Sequence, residues 1–313
     1  MTSDGPATNS DLPLAGIGYA VLAYSAWGLM PIYWKLVDQV PAPQMLAHRV
    51  VWSVLVLGVL VGLFRRWSAL RTTLRSRRHV TLLLITATLI SMNWLIFIWA
   101  VQNNHVVEAS LGYFINPLFN VVLGFLFLRE RLRPWQIAAV CLASLGVINL
   151  ILALGVVPWI ALALALSFGT YGLLRKMAPV EGMVGLSVET MLMFPVALGY
   201  LLYVGAVGEG AFLHAGWRLD ALIAAAGLVT ALPLLWFTNA ARRLDYSTLG
   251  IVQYLAPSCQ LLLAVFVYGE AFTVVHLVTF GCIWTALAIY TTDTTVALRR
   301  RSSNLVDSSM RVR

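Results

Sequence analysis

Residues 81–128 read TLLLITATLISMNWLIFIWAVQNNHVVEASLGYFINPLFNVVLGFLFL, in which two apolar runs are separated by a short polar break at 103–105. We place the runs at 80–101 and 106–128. A helix needs about 20 apolar residues to cross the hydrocarbon core of a bilayer, and both runs reach that length. This stretch therefore predicts two membrane-spanning helices joined by a tight turn.

The rest of the chain repeats this pattern. Hydrophobic residues make up 60% of the 313 residues and charged residues 11%, whereas soluble domains carry about 25% charged residues. The mean hydropathy is +0.84. We therefore predict an all-α integral membrane protein with ten transmembrane helices. Polar breaks divide the chain into windows at 14–34, 42–64, 80–101, 106–128, 135–154, 156–174, 183–205, 219–239, 246–268 and 272–292.

The distribution of basic residues predicts the orientation. Alternate interhelical loops and the C-terminal tail hold 18 of the 21 lysines and arginines, whereas the opposite loops hold only Lys35 and Arg218. Because cytoplasmic loops carry the excess of basic residues, both termini are predicted to be cytoplasmic. The net charge of +8 is accounted for by these short loops and the tail, so we expect no nucleic-acid partner.

The two ends of the chain are predicted to lie outside the bundle. Residues 1–13 contain no lysine or arginine ahead of the first apolar run, so we expect a disordered cytoplasmic tail and no cleaved signal peptide. Residues 293–313 form a basic cytoplasmic tail in this interpretation.

Cofactor and enzyme motifs are missing from the sequence. Cys141, Cys259 and Cys282 lie in apolar stretches without the CxxC spacing of a metal or redox site. The sequence has no HExxH, GxSxG, P-loop or GxGxxG motif. We therefore expect no enzyme activity, no metal and no cofactor, and no use of ATP.

An internal repeat relates the two halves of the chain. Residues 110–112, Ser-Leu-Gly, match residues 248–250, Thr-Leu-Gly, at an offset of 138. Further matches at offsets of 140 to 141 are Pro117 with Pro257, Glu130 with Glu270, and Lys35 with Lys176. The halves are 14–154 and 155–292, with five predicted spans each. Because five is odd, the second half must cross the membrane in the opposite sense, as in the inverted repeats of many secondary transporters.

Prolines within the predicted spans suggest kinks. Pro117 and Pro257 both fall in the middle of a window, where a proline removes a backbone hydrogen bond and clashes with the preceding turn. We predict a kink or hinge at each of them.

Several stretches together resemble the EamA family of the drug/metabolite transporter superfamily, and within it the RarD-type permeases. They are AYSAWGLMPIYWKL, HRVVWS, NWLIFIWAVQNNHVVEASLGYFINPL, LRERL, SFGTYGLLRK, LDYSTLGIVQYLAPS and FVYGE. The resemblance runs in order over residues 14–292. It implies two EamA repeats of five helices in the bacterial inner membrane and transport of a small organic molecule, without indicating which one.

Ionisable residues inside the predicted spans are candidates for function, since an unpaired charge there costs several kcal/mol. They are His48, Arg49, Glu108 and Glu189. Arg49 lies about 10 Å below the predicted outer end of its helix, and Glu108 opens a helix on the same side. We therefore expect Arg49 to neutralise Glu108.

These residues predict two charged clusters, one near each mouth. The outer cluster is Lys35, His48, Arg49 and Glu108, and the inner cluster is Arg175, Lys176 and Glu189. One interpretation makes the clusters alternating gates or proton-coupling sites, because burial and a paired charge bring a carboxylate or histidine towards neutral pKa. The other interpretation makes them static ion pairs.

Aromatic and polar residues also lie deep in the predicted spans. They are Trp27, Trp94, Tyr113, Tyr171 and Tyr254 with Asn93, Asn116 and Gln253. A mostly apolar pocket with a few polar groups suits a planar organic solute, so these residues either line a substrate pathway or pack together.

Other residues have a structural interpretation. The tryptophans near span ends are expected at the membrane interface: Trp34, Trp135, Trp159 and Trp217. Gly58 and Gly62, spaced GxxxG, are expected to allow close helix packing, and Glu130 and Glu270 to act at helix ends.

The sequence as a whole predicts a secondary active transporter that moves a small organic metabolite or drug by alternating access, with protons as a candidate coupling ion. A passive channel or a non-transporting membrane partner protein is the alternative function. The expected partners are the small-molecule substrate and the lipid bilayer.

Overall fold

The computed structural model describes residues 11–128, 132–214, 216–241, 243–244 and 252–311. Within these ranges all regular secondary structure is helical, so the predicted all-α class is confirmed. The helices are α1 (Asp11–Leu36), α2 (Ala42–Leu63), α3 (Trp67–Arg75), α4 (Arg77–Gln102), α5 (Val106–Leu128), α6 (Pro134–Leu154), α7 (Trp159–Met177), α8 (Gly182–Ala206), α9 (Trp217–Ala241), α10 (Leu255–Leu262), the π-helix Leu263–Val267 that continues it, and α11 (Val274–Arg311).

In the part of the chain that the structure describes, eight helices are long and apolar enough to cross a membrane. They are α1, α2, α4, α5, α6, α8, α9 and α11. The predicted windows at 156–174 and 246–268 coincide with two shorter apolar helices, Trp159–Arg175 and Leu255–Val267. The chain is thus a multi-pass membrane protein, and the count of ten spans stays a prediction.

Helix α3 was not predicted from the sequence, which suggested a polar break over 65–78. Its Leu70 and Thr73 are buried, whereas Trp67 is exposed. The stretch is amphipathic and forms a short helix at the edge of the bundle, where it contacts α4 and α8. Its arginines concealed the helix because they break the apolar run without breaking the helical period.

The two candidate kinks differ in position. Pro117 lies inside α5, as predicted. Pro257 lies in the first turn of α10, which begins at Leu255, and residues 245–251 lie outside the described part of the chain, so the kink at Pro257 stays a prediction. A proline in a first turn removes no intrahelical hydrogen bond. A π-helix, Leu263–Val267, follows α10.

Helix packing determines which residues can meet inside the bundle. Helix α1 packs against α9 and α10, and α7 packs against α4 and α5. Helices α2 and α8 pack together, as do α6 and α11. The main apolar core contains residues of both halves, among them Trp34, Leu111 and Phe280.

Close packing depends on glycines other than the predicted pair. A Cβ at Gly58 would have nothing within 4 Å among the described residues, and one at Gly62 would approach only Trp67 Nε1, at 3.6 Å. The expectation for this GxxxG pair is therefore wrong. A Cβ at Gly28 would instead lie 2.6 Å from Cys259 Cβ, and one at Gly169 would lie 2.7 Å from Phe119 Cδ1.

We predict that Gly28→Ala lowers the melting temperature of the detergent-purified protein, whereas Gly18→Ala on the same helix leaves it unchanged or raises it. Within a helix, alanine is more favourable than glycine by about 1 kcal/mol, but overpacking of a close contact costs about 1–3 kcal/mol. The Ala256 carbonyl oxygen, 3.0 Å from the added Cβ, is backbone and cannot easily move, whereas Gly18 has nothing within 4 Å among the described residues. Equal effects of the two substitutions would contradict the close approach of α1 and α10.

Candidate functional site

Glu189 on α8 is the most deeply buried acidic side chain in the described residues, with 2% of its surface exposed. Thr86 of α4 donates a hydrogen bond to its Oε1 at 2.6 Å, and Tyr171 of α7 donates one to its Oε2 at 3.3 Å. Arg175 Nε lies 3.8 Å from Oε1. The structure thus brings Arg175 and Glu189 together as predicted, while the side chain of Lys176 lies outside the described part of the chain.

Arg175 reaches this carboxylate along a path that a glycine leaves open. A Cβ at Gly185 would overlap the Arg175 guanidinium, so glycine at this position allows Arg175 to lie where it does. Nη2 of Arg175 also donates to the Gly182 carbonyl at 3.3 Å. Because a buried charge is tolerated only when it is paired and hydrogen-bonded, these contacts allow a carboxylate to exist inside the bundle. The same oxygens are the place where the site could accept a proton.

Arg49 lies against aromatic rings. Its guanidinium carbon is 3.9 Å from the ring centre of Trp94 and 5.4 Å from that of Trp34. Glu108, in the first turn of α5, has Oε1 3.5 Å from Nδ1 of His105, the residue before this helix. The predicted Arg49–Glu108 ion pair is therefore not formed in the described residues, because a neighbour one helical turn away engages the carboxylate.

Trp34 has a different role from the one predicted. It is fully buried, so its assignment to the membrane interface is wrong, and it forms one wall beside Arg49. Trp135, Trp159 and Trp217 are exposed on the bundle surface, which suits the interface assignment.

The remaining residues of the predicted outer cluster have separate partners. Lys35 Nζ donates to Asn104 Oδ1 at 2.7 Å and lies 5.6 Å from the ring centre of Tyr268. His48 is 6% exposed, and its ring centre lies 5.3 Å from that of Phe212. The structure therefore does not gather the four residues of the outer cluster into one site.

Glu270 joins the two halves of the chain at the predicted outer side. Its two carboxylate oxygens accept hydrogen bonds from the backbone N–H groups of Val106 and Val107, each at 2.8 Å. It thereby caps the start of α5, where a negative charge is favourable. Its predicted counterpart in the repeat, Glu130, lies outside the described residues.

The deep polar residues mainly hold helices together. Asn93 donates to the Leu164 carbonyl at 3.1 Å and to Ser167 Oγ at 3.0 Å, and Tyr113 donates to Asn93 Oδ1 at 3.4 Å. Asn116 donates to the Ala165 carbonyl at 3.4 Å. Asn93 and Asn116 therefore attach α4 and α5 to the backbone of α7.

Tyr254 and Gln253 lie away from this region. The ring of Tyr254 stacks on Phe114, with ring centres 6.4 Å apart, next to the aromatic cluster of Phe280 and Trp284. The predicted set of lining residues is thus split, with Trp94 and Tyr113 in one region and Gln253 and Tyr254 in another.

A narrow cleft between the halves connects Trp94 with Glu189. It is lined by Val50, Ala87, Ile90, Ser91, Trp94, Glu189, Thr190 and Met193, and it has no space for a water molecule. Arg49 covers the Trp94 ring, and Glu189 lines the same cleft. Arg49 with its aromatic walls therefore lies next to the Glu189 cluster, in one region of the bundle.

Sequence reasoning missed Thr86 as a partner of Glu189. A signal was present, because Thr86 and Asn93 lie seven residues apart in an apolar helix and so share one face. Both side chains are buried, and both form hydrogen bonds to α7 or α8.

We predict that Arg175→Met lowers the free energy of unfolding by about 3–5 kcal/mol at neutral pH, since it leaves a buried carboxylate without its cation. Adding Glu189→Gln should restore most of the loss. The control is Arg66→Met, which breaks an exposed 3.4 Å ion pair with Glu181 and should cost about 0–1 kcal/mol. Unfolding experiments in detergent measure the stability of the two single variants and the double variant. A double variant no more stable than Arg175→Met would contradict the pairing.

Comparison with known proteins places this bundle in a family. Residues 14–152 match the model of the EamA-like transporter family. The chain is 50% identical to an uncharacterized transporter of Vibrio cholerae, over 89% of this chain and 92% of that protein. It is 48% identical to Protein RarD of Escherichia coli, over 92% of this chain and 97% of that protein. It is also 33% identical to the chloramphenicol-sensitive protein RarD of Pseudomonas aeruginosa, over 92% of this chain and 97% of that protein.

A solved crystal structure shares the fold. It superposes with a TM-score of 0.57 at 18% identity, and the match covers 90% of this chain and 97% of the other. The transporter names belong to relatives that align over nearly their whole length with this chain. The chain belongs to the EamA-like transporter family, among its RarD-type permeases.

Proposed function

We propose that the protein is a secondary active transporter that moves a small organic solute across the bacterial inner membrane by alternating access. The observation that carries this proposal is a closed cleft between the halves, flanked by Arg49 on Trp94 and by the Glu189 cluster. Ionisable groups inside a membrane bundle mark substrate and ion pathways. Relatives of the chain are named transporters.

The proposal includes ten transmembrane helices in two inverted five-helix repeats, 14–154 and 155–292. The packing of α7 against α4 and α5 has a counterpart in the packing of α1 against α9 and α10. The close approaches at glycines agree with this exchange, because a Cβ at Gly28 would contact Cys259 and a Cβ at Gly169 would contact Phe119. Gly28 and Gly169 are separated by 141 residues, and Phe119 and Cys259 by 140. This exchange of equivalent contacts supports the repeat.

The proposed orientation places both termini in the cytoplasm. It rests on the 18 to 2 division of basic residues between the two sets of loops. The α1–α2 turn then faces the outside, and α3 lies on the cytoplasmic side.

Proton coupling is part of the proposal. Glu189 and His48 occupy equivalent positions of the repeat, at an offset of 141, and both are buried. Glu189 has hydroxyl partners on two helices, Thr86 and Tyr171, which can hydrogen-bond to either protonation state. In this proposal Lys35 and Lys176 are the gating charges, Lys35 at the outer mouth and Lys176 at the inner mouth.

We predict that the protein in proteoliposomes shows counterflow for at least one member of a panel of amino acids and related metabolites. A labelled solute outside should accumulate transiently above equilibrium when the vesicles contain excess unlabelled solute. A carrier shows this overshoot because loaded sites return faster than they equilibrate, whereas a channel only lets the label equilibrate.

Protein-free liposomes are the control for leakage in this assay. Equilibration without overshoot would favour the passive channel, and no protein-dependent flux across the whole panel would favour a non-transporting membrane partner.

A further inference from the structure

Arg49 is a buried cation without an anionic partner among the described residues. Only 7% of its surface is exposed, and its Nε is buried without a hydrogen-bond partner. Every ion pair that the structure forms between described residues involves other basic groups: Arg66, His105, Arg133 and Arg175. No described residue accepts a hydrogen bond from the guanidinium, and the buried Nε–H is left unsatisfied.

Aromatic rings stabilise the charge in place of a carboxylate. Trp94 lies 3.9 Å away and Trp34 5.4 Å away, in the range of cation–π attraction. Tyr33 and Tyr113 are near enough to interact electrostatically with Arg49, but their hydroxyls donate to the Leu222 carbonyl and to Asn93. The N–H fork of the guanidinium therefore has no acceptor among the described residues.

The other intramembrane charge in this region, by contrast, is satisfied. Glu189 has a cation and two hydroxyl donors. A methionine at position 49 would fill similar space without a desolvation cost. At Arg49 the protein keeps a charge and supplies aromatic walls but no anion. This arrangement suits a ligand that brings the anion itself.

We propose that Arg49 is the anchor for the carboxylate of an organic substrate, an inference that rests on the proposed transport function. A planar guanidinium binds a planar carboxylate by two parallel N–H···O bonds, and the close contact with Trp94 restricts the movement of the guanidinium. One guanidinium balances the single charge of a carboxylate. A phosphate dianion would leave a net negative charge buried beside these rings.

The position of Arg49 suits this role. It lies seven residues after Ala42, the first residue of α2, and so about 10 Å from that end of the helix. Residues of α1, α4 and α5 surround it, with Val50 next to it lining the cleft to Glu189. A carboxylate bound at Arg49 would leave the remainder of the substrate beside this cleft.

The test measures ligand-induced stabilisation of the detergent-purified full chain with matched pairs of a carboxylic acid and its primary amide. The pairs are phenylacetate and phenylacetamide, phenylalanine and phenylalaninamide, and lactate and lactamide. At least one acid should raise the melting temperature at a concentration at least tenfold lower than its amide. Arg49→Met should lose this response, and Arg49→Lys should retain a weaker one, because lysine keeps the charge without the fork.

Arg218→Met is the matched control, since Arg218 lies 5.7 Å from the ring of the exposed Trp217 and should not affect the response. Amides as effective as acids, an unchanged response in Arg49→Met, or no response to any acid would overturn the carboxylate anchor. Counterflow of an amide by both wild type and Arg49→Met would overturn it while leaving the transporter intact. Absence of counterflow by the wild type for every solute would count against the transport function itself.

Discussion

The Glu189 side chain is buried, with 2% of its surface exposed, and three helices supply the groups that satisfy its carboxylate. Thr86 comes from α4, and Tyr171 and Arg175 from α7, while α8 provides Glu189 itself and the glycine that lets Arg175 pass. A single neutralised or displaced partner would leave a charge inside an apolar bundle, at a cost of several kcal/mol. The relative positions of α4, α7 and α8 are therefore tied to the charge state of one side chain, which is the kind of coupling that a transport cycle requires.

In the proposed repeat, equivalent positions of the two halves carry different chemistry. At an offset of 141, Trp34 corresponds to Arg175 and His48 to Glu189. In the second half these positions form an ion pair, whereas in the first half an indole lies beside Arg49. Inverted repeats give a transporter two similar half-sites, and substitutions within them make the site asymmetric. We infer that the first half contributes the substrate anchor and the second half the group that changes its protonation.

Hydropathy and composition were enough to predict the helical class and the approximate positions of the apolar segments, because the bilayer demands long uninterrupted apolar runs. The proximity of Arg175 and Glu189 also followed from the predicted topology. The aromatic surroundings of Arg49 could not be predicted. A helix that is apolar on all sides has no polar stripe to show which way a side chain points, so Trp34 was placed at the interface and Glu108 beside Arg49. The His105–Glu108 pair and the buried Trp34 depend on helix rotation and tertiary contacts.

The central claim is that the buried Glu189 carries a proton during the transport cycle, and its most direct test compares two modes of transport in one variant. In proteoliposomes, Glu189→Gln should abolish accumulation driven by a pH gradient while sparing exchange of internal for external substrate, because exchange returns a loaded carrier without a change of protonation. Glu181→Gln at the start of the same helix, where the carboxylate is partly exposed and pairs with Arg66, should leave both modes intact. Normal gradient-driven accumulation by a well-folded Glu189→Gln protein would contradict the claim and leave the carboxylate with a structural role.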